Sequence, residues 1–387
     1  MRGAEMLTRN QLTIFVGLLS FSLLGWSVAS ISTSLPKIIK EFGMSYEVAG
    51  ILAGTMPAGG VMGFAAGMLS DRLGYSKTAA LALLVFMLGL LVSPMPAGIA
   101  ALFGGFATIG VGSVLLVSSA SPLVATAYPT KSGTMLNYMY AGMGFGIGVG
   151  SVATAFLAEV NWRMSFFTPA PVVLALCLTA FKKLRDYTRH VSGVKSSELR
   201  MFFINIPVVV PSLFIVGVEL GFATWLPSLL SIRYSAQGAL VGFSVTIFSV
   251  FMGLGRALLG RISDSLGAVR SITFFGGCAG LSFLVFASIE DFPAKLLVLP
   301  VIGLVVGPLL PTFTAWVIRN NPAHGGSVSG MVISTGRVGT FFINWLVGLA
   351  LGLHGEFTAL TVFFLCTMIM VAYLNIMVRL RRLRPSD

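Results

Sequence analysis

The sequence predicts an all-α integral membrane protein of twelve transmembrane helices, arranged as two pseudo-symmetric six-helix bundles. Three observations predict it: too little charge to face water, twelve apolar runs of spanning length, and a motif that recurs at a constant shift. The chain of 387 residues is 56% hydrophobic and only 10% charged, with a mean hydropathy of +0.93. A soluble domain carries roughly 25% charged residues, so most of this surface must meet lipid.

A helix that crosses the hydrocarbon core needs about 20 apolar residues. Runs of that kind lie near 11–35, 47–69, 78–95, 98–127, 134–158 and 164–181, and again near 202–230, 239–260, 269–289, 295–318, 327–352 and 357–378. They are continuous rather than alternating, which excludes barrel strands. The first run is too long for the apolar core of a cleavable signal peptide and reads as a span. The polar stretch between the sixth and seventh runs divides the chain into an N-terminal half (1–181), a linker (182–201) and a C-terminal half (202–387).

Charge placement sets the orientation. Of 25 basic residues, Lys37, Lys40, Arg163, Arg233 and Lys295 fall at one end of the spans, Arg256 and Arg337 fall inside them, and the other eighteen fall at the opposite end. The positive-inside rule then makes both termini and the linker cytoplasmic. The linker is expected to lie against anionic headgroups, making membrane lipid a partner. Although the net charge is +12, no basic face is interleaved with stacking aromatics, so nucleic acid is not an expected partner.

The repeat is read from glycines and charges. GMLSDRLGYSK (67–77) aligns with GRISDSLGAVR (260–270), placing Gly67 on Gly260, Asp71 on Asp264, Gly74 on Gly267 and Lys77 on Arg270. The same shift brings Gly110 to Gly303, Pro129 to Pro322, Gly133 to Gly326 and Gly146 to Gly339. Two halves with an even number of spans share one orientation, and such a pair can rock about a central site.

The pattern of Gly67, Asp71, Arg72, Gly74 and Lys77 between the second and third spans resembles the signature loop of the major facilitator superfamily. Gly260, Asp264, Gly267 and Arg270 resemble its degenerate second copy. NWRMSFF from Asn161 resembles the element that opens the sixth span in that family. The resemblance implies secondary transport by alternating access, with this loop, joined by Arg256 as a brace, latching the cytoplasmic gate. Gly67 is expected to permit close helix approach and Gly74 a tight turn. Two departures matter. Phe106 stands where many members carry a coupling arginine in the fourth span, and Ile147 stands where the antiporter motif carries proline. The fifth-span glycines Gly142, Gly146 and Gly150 then read as a packing stripe.

An ionisable group inside a span is costly and is by default functional. Of thirteen acids, Glu219 alone lies well within a span, the seventh, and Arg337 is its basic counterpart in the eleventh. The resemblance implies that the seventh and eleventh helices are neighbours, so a Glu219–Arg337 pair is expected. Asn344, Trp225, Tyr138 and Asn137 complete the expected substrate and coupling set.

The first functional reading is a secondary active transporter for a small polar solute, an organic anion anchored by Arg337, with Glu219 carrying a coupled proton. A sugar or polyol proton symporter is the alternative, and a multidrug efflux antiporter a weaker one. Protons or another ion are the expected coupling partner, and a monomer in the plasma membrane is expected. There is no Walker-type loop, no zincin motif and no catalytic triad at a plausible depth, so neither an ATP-driven pump nor an enzyme is expected. No cofactor or metal is expected, since Cys177, Cys278 and Cys366 sit singly in apolar runs.

Overall fold

The computed structural model describes residues 2–128, 132–183, 196–234, 239–320 and 325–381. The centre of the expected linker, 184–195, lies outside the described residues. Within them the regular structure is entirely helical. The chain runs through α1 (Arg2–Phe42), α2 (Tyr46–Ala58), a 3-10 turn (Gly59–Met62), α3 (Gly63–Leu73), α4 (Tyr75–Val92), α5 (Ile99–Ala127), α6 (Ser132–Asn161), α7 (Met164–Phe167) and α8 (Ala170–Lys183). It continues through α9 (Ser196–Tyr234), α10 (Ala239–Leu266), α11 (Ala268–Ser288), α12 (Phe292–Val306), α13 (Leu309–Asn320), α14 (Gly325–His354) and α15 (Glu356–Arg381).

Every apolar run predicted from the sequence falls on one of these helices or on consecutive ones. Among the described residues, 10 helical stretches are long and apolar enough to cross a membrane. Of the two runs outside that set, the α2–α3 run is tightened by Pro57, Gly59 and Gly60 into a 3-10 turn, and in α10 the described apolar stretch is Leu240–Arg256.

Helix packing follows the glycines. α1 lies along α6 and α9 along α14. At each contact a glycine lets the backbones meet: a Cβ at Gly146 would collide with the Ser22 carbonyl, and one at Gly339 with the Leu213 carbonyl. The turns into α4 and α11 also match. Gly74 (φ 93, ψ 145) and Gly267 (φ 83, ψ 145) adopt the same left-handed conformation, which a side chain would strain. Between the first eight helices and the rest, α2 lies along α14, α6 along α10, and α1 against α9.

Each set is clasped at the end where α1 and α9 finish. Arg163 meets Glu41 at 2.5 Å and also donates to the Pro94 carbonyl, while the Trp162 indole donates to Glu41. In the other set Arg233 meets Glu356 at 3.7 Å and Glu290 at 3.2 Å, and Lys295, 1% exposed, also pairs with Glu356. The repeat aligns Arg163 with Glu356, and Glu41 with Arg233 to within one residue, so the second clasp is a charge-swapped copy of the first. Above α9's midpoint, Phe222 is met edge-on by Phe248, Phe283, Phe286 and Phe363 at ring-centroid distances of 5.0 to 5.6 Å.

Candidate functional site

Glu219 is buried on α9, but its partner is not Arg337. Arg256 Nη2 donates to Glu219 Oε1 at 2.5 Å, and Arg256 Nε donates to the Gly307 carbonyl at 3.3 Å. The correction has a geometric cause. α9 faces α14 through Gly217 and Gly221, one turn apart, which touch Gly339 and Ile343. Residue 219 is two positions from each glycine, about 200° around the helix, so it points to α10. The Gly307 carbonyl is available because the residue four ahead is Pro311, which has no N–H to return to it. Thus the break between α12 and α13 supplies a second acceptor for Arg256. Glu219 Oε2 is buried with no hydrogen-bond partner.

Arg337 belongs to a different interface. Ser334, Arg337, Phe341, Asn344 and Gly348 form the stripe of α14 that meets the second-span helices, at Gly63 of α3, Gly60 of the 3-10 turn, and Gly54 and Gly50 of α2. The aliphatic stem of Arg337 lies flat on Gly60, where any Cβ would displace it. Its guanidinium is within electrostatic reach of Tyr140 on α6. No carboxylate among the described residues lies within salt-bridge distance of it. A half-buried cation therefore stands where the 3-10 turn after α2, α6 and α14 meet, with no acid beside it among the described residues.

The remaining expected site residues divide. Asn344 and Trp225 are fully buried, and neither the carboxamide nor the indole N–H has a partner. Tyr138 is 56% exposed and lies on α6, two residues before Tyr140. The side chain of Asn137 lies outside the described residues. So do the side chains of Asp71 and Asp264 and the surroundings of Gly260 in the expected gate. Arg72, Lys77 and Arg270 are exposed. Gly67 has nothing within 4 Å of an added Cβ among the described residues, and Gly74 makes the expected turn. Arg256, expected as a gate brace, instead reaches inward to Glu219.

Sequence reasoning missed the Glu219–Arg256 pair and the contact of Arg337 with Gly60. The first had signals: the Gly217/Gly221 spacing fixed the face of α9, and the Gly307-Pro308…Pro311 string marked a broken helix with a free carbonyl.

The family description Major Facilitator Superfamily matches residues 17–344. The chain belongs to that superfamily. It is 26% identical over 314 residues to a probable 4-methylmuconolactone transporter of Cupriavidus pinatubonensis, covering 73% of this chain and 70% of that protein. It is 24% identical over 268 residues to a glucose/mannose transporter of Bacillus subtilis, covering 63% of this chain and 64% of the relative. A crystal structure of a D-xylose-proton symporter superposes with a TM-score of 0.75 at 14% identity, over 92% of this chain and 96% of the other, a likeness of fold. This superfamily member is a multi-pass membrane transporter of small solutes, not an enzyme.

Proposed function

We propose that this transporter carries a small organic anion by alternating access, with Arg337 as the anion's anchor and Glu219 as the site of a coupled proton. In this reading twelve spans form two six-helix halves, 1–181 and 202–387, joined by the linker 182–201. Both termini face the cytoplasm across the plasma membrane. The matched Gly74 and Gly267 turns and the matched Gly146 and Gly339 contacts support the two-half arrangement.

One observation carries the anion: Arg337 is a half-buried guanidinium with no described carboxylate within salt-bridge distance, held where the 3-10 turn after α2 and helix α6 of one half meet α14 of the other. A planar guanidinium offers paired donors to a carboxylate, and a buried unpaired charge is costly until something neutralises it. Tyr140 adds a hydroxyl beside it. Proton coupling is supported by the Glu219 carboxylate, whose Oε2 has no partner while Oε1 holds Arg256. A proton taken up on Oε2 weakens the ion pair, and Arg256 keeps the Gly307 carbonyl as its alternative acceptor.

The relative named for 4-methylmuconolactone suits a small organic solute, whereas the glucose/mannose relative favours a sugar. A thermal-shift screen of organic acids, sugars and lipophilic cations separates these readings, because a ligand of the folded state raises its melting point. The expected result is stabilisation by organic acids that Arg337→Gln abolishes. Sugars that stabilise parent and Arg337→Gln protein alike select the sugar reading instead.

A further inference from the structure

The seam where α2 lies along α14 adjoins polar groups that no described residue satisfies. Asn344 is 0% exposed, and neither its amide oxygen nor its amide nitrogen has a hydrogen-bond partner. Trp225 on α9 is equally buried, and its indole N–H is also unpartnered. The two are neighbours: Asn344 Oδ1 lies beside Gly221, and the Trp225 ring lies beside Gly348. Gly221 to Trp225 and Asn344 to Gly348 are single helical turns on facing helices.

The lid over this cluster comes from the other set of helices. Gly50 of α2 packs on the Asn344 backbone and on Gly348, and Tyr46 packs on Gly348 as well. From α1, Ser32 Oγ donates to the Ala223 carbonyl at 2.8 Å. A primary amide brings two donors and an acceptor, and leaving buried polar groups unmade is unfavourable. That penalty attaches to the sealed seam, where Gly50 and Tyr46 of α2 cover Gly348 and the backbone of Asn344.

We propose that Asn344 and Trp225 form a hydrogen-bonding subsite that this conformer seals and the opposite conformer opens, so that their unmet bonds bias the resting protein away from the sealed state. The groups that satisfy them on opening are hydroxyls and carbonyls, from water or from the solute. The inference rests on the alternating-access part of the proposed function and not on Arg337.

The test uses spin labels at Ser45→Cys and Glu290→Cys, in full-length protein with Cys177, Cys278 and Cys366 replaced by alanine and no added solute. Asn344→Leu keeps the branched shape and removes the polar atoms; it should raise the ratio of the short to the long distance about tenfold, equivalent to about 1.4 kcal/mol. Trp225→Phe should act in the same direction. Where the parent already shows only the short distance, Asn344→Leu should instead raise the melting temperature. Gly348→Ala, whose Cβ strikes the Tyr46 carbonyl, should prop the seam towards the long distance. If Gly348→Ala separates the labels while Asn344→Leu changes neither the ratio nor the melting point, the subsite is wrong and alternating access stands. If Gly348→Ala leaves the labels at the short distance, the alternating-access reading fails and the subsite falls with it.

Discussion

Arg256→Gln removes the guanidinium that holds Glu219 at 2.5 Å and leaves a carboxylate, 7% exposed, with neither oxygen satisfied. Breaking a fully buried pair from one side costs about 3–5 kcal/mol. Here the Arg256 side chain is 38% exposed, so water replaces part of what is lost. We therefore expect about 2–3 kcal/mol of destabilisation, at and below the lower limit of the fully buried range. At about 2–4 °C per kcal/mol this is a drop of roughly 4–12 °C. Glu219→Gln in the same protein removes the stranded charge and should return at least about 1 kcal/mol, an interaction energy typical of contacting residues. The same cycle at Glu219 and Arg337 should be additive within about 0.5 kcal/mol, because those residues do not touch. Thermal melting of the parent, the three single and the two double variants measures both cycles. Coupling between positions 219 and 337, or its absence between 219 and 256, would refute the pairing.

The charge-swapped clasps predict that Glu41→Arg lowers the melting point and that adding Arg163→Glu restores most of it, since the geometry tolerates either sign at the equivalent positions. Gly146→Ala drives a Cβ into the Ser22 carbonyl and should cost about 1–3 kcal/mol by overpacking, whereas Gly144→Ala, with open space around it, should melt like the parent; equal melting points for the two would show that the α1–α6 contact is not set by that glycine. For orientation, a cysteine at exposed Lys77 should react with an impermeant maleimide only from the cytoplasmic side and one at exposed Glu290 only from outside. Labelling of both from one face contradicts the proposed topology.

Much of the fold was legible because membrane burial writes itself along the chain: each apolar run predicted from the sequence became helix, and the glycine turns at Gly74 and Gly267 fell where the repeat put them. Pairing across helices was less legible, since it depends on azimuth as well as depth. Glu219 lies about 22 Å from the end of α9, and Arg256 and Arg337 each lie about 25 Å from the corresponding ends of α10 and α14, at 1.5 Å per residue. Depth therefore cannot choose between the two arginines. The face does: Gly217 and Gly221 commit one side of α9 to α14 and turn Glu219 toward α10. Gly67 shows the opposite limit. A motif glycine reads as a packing position in sequence, yet it meets no described neighbour here.

The central claim is that Arg337 anchors an organic anion, and uptake into proteoliposomes tests it most directly. The acid that most stabilises the parent in the thermal screen is followed as labelled solute, with and without an inward-directed proton gradient, in the parent, Arg337→Lys and Arg337→Gln proteins. The account predicts gradient-driven accumulation by the parent, a reduced rate with lysine, where the charge survives without the planar fork, and none with glutamine in a protein that still folds. Undiminished accumulation by Arg337→Gln would contradict it.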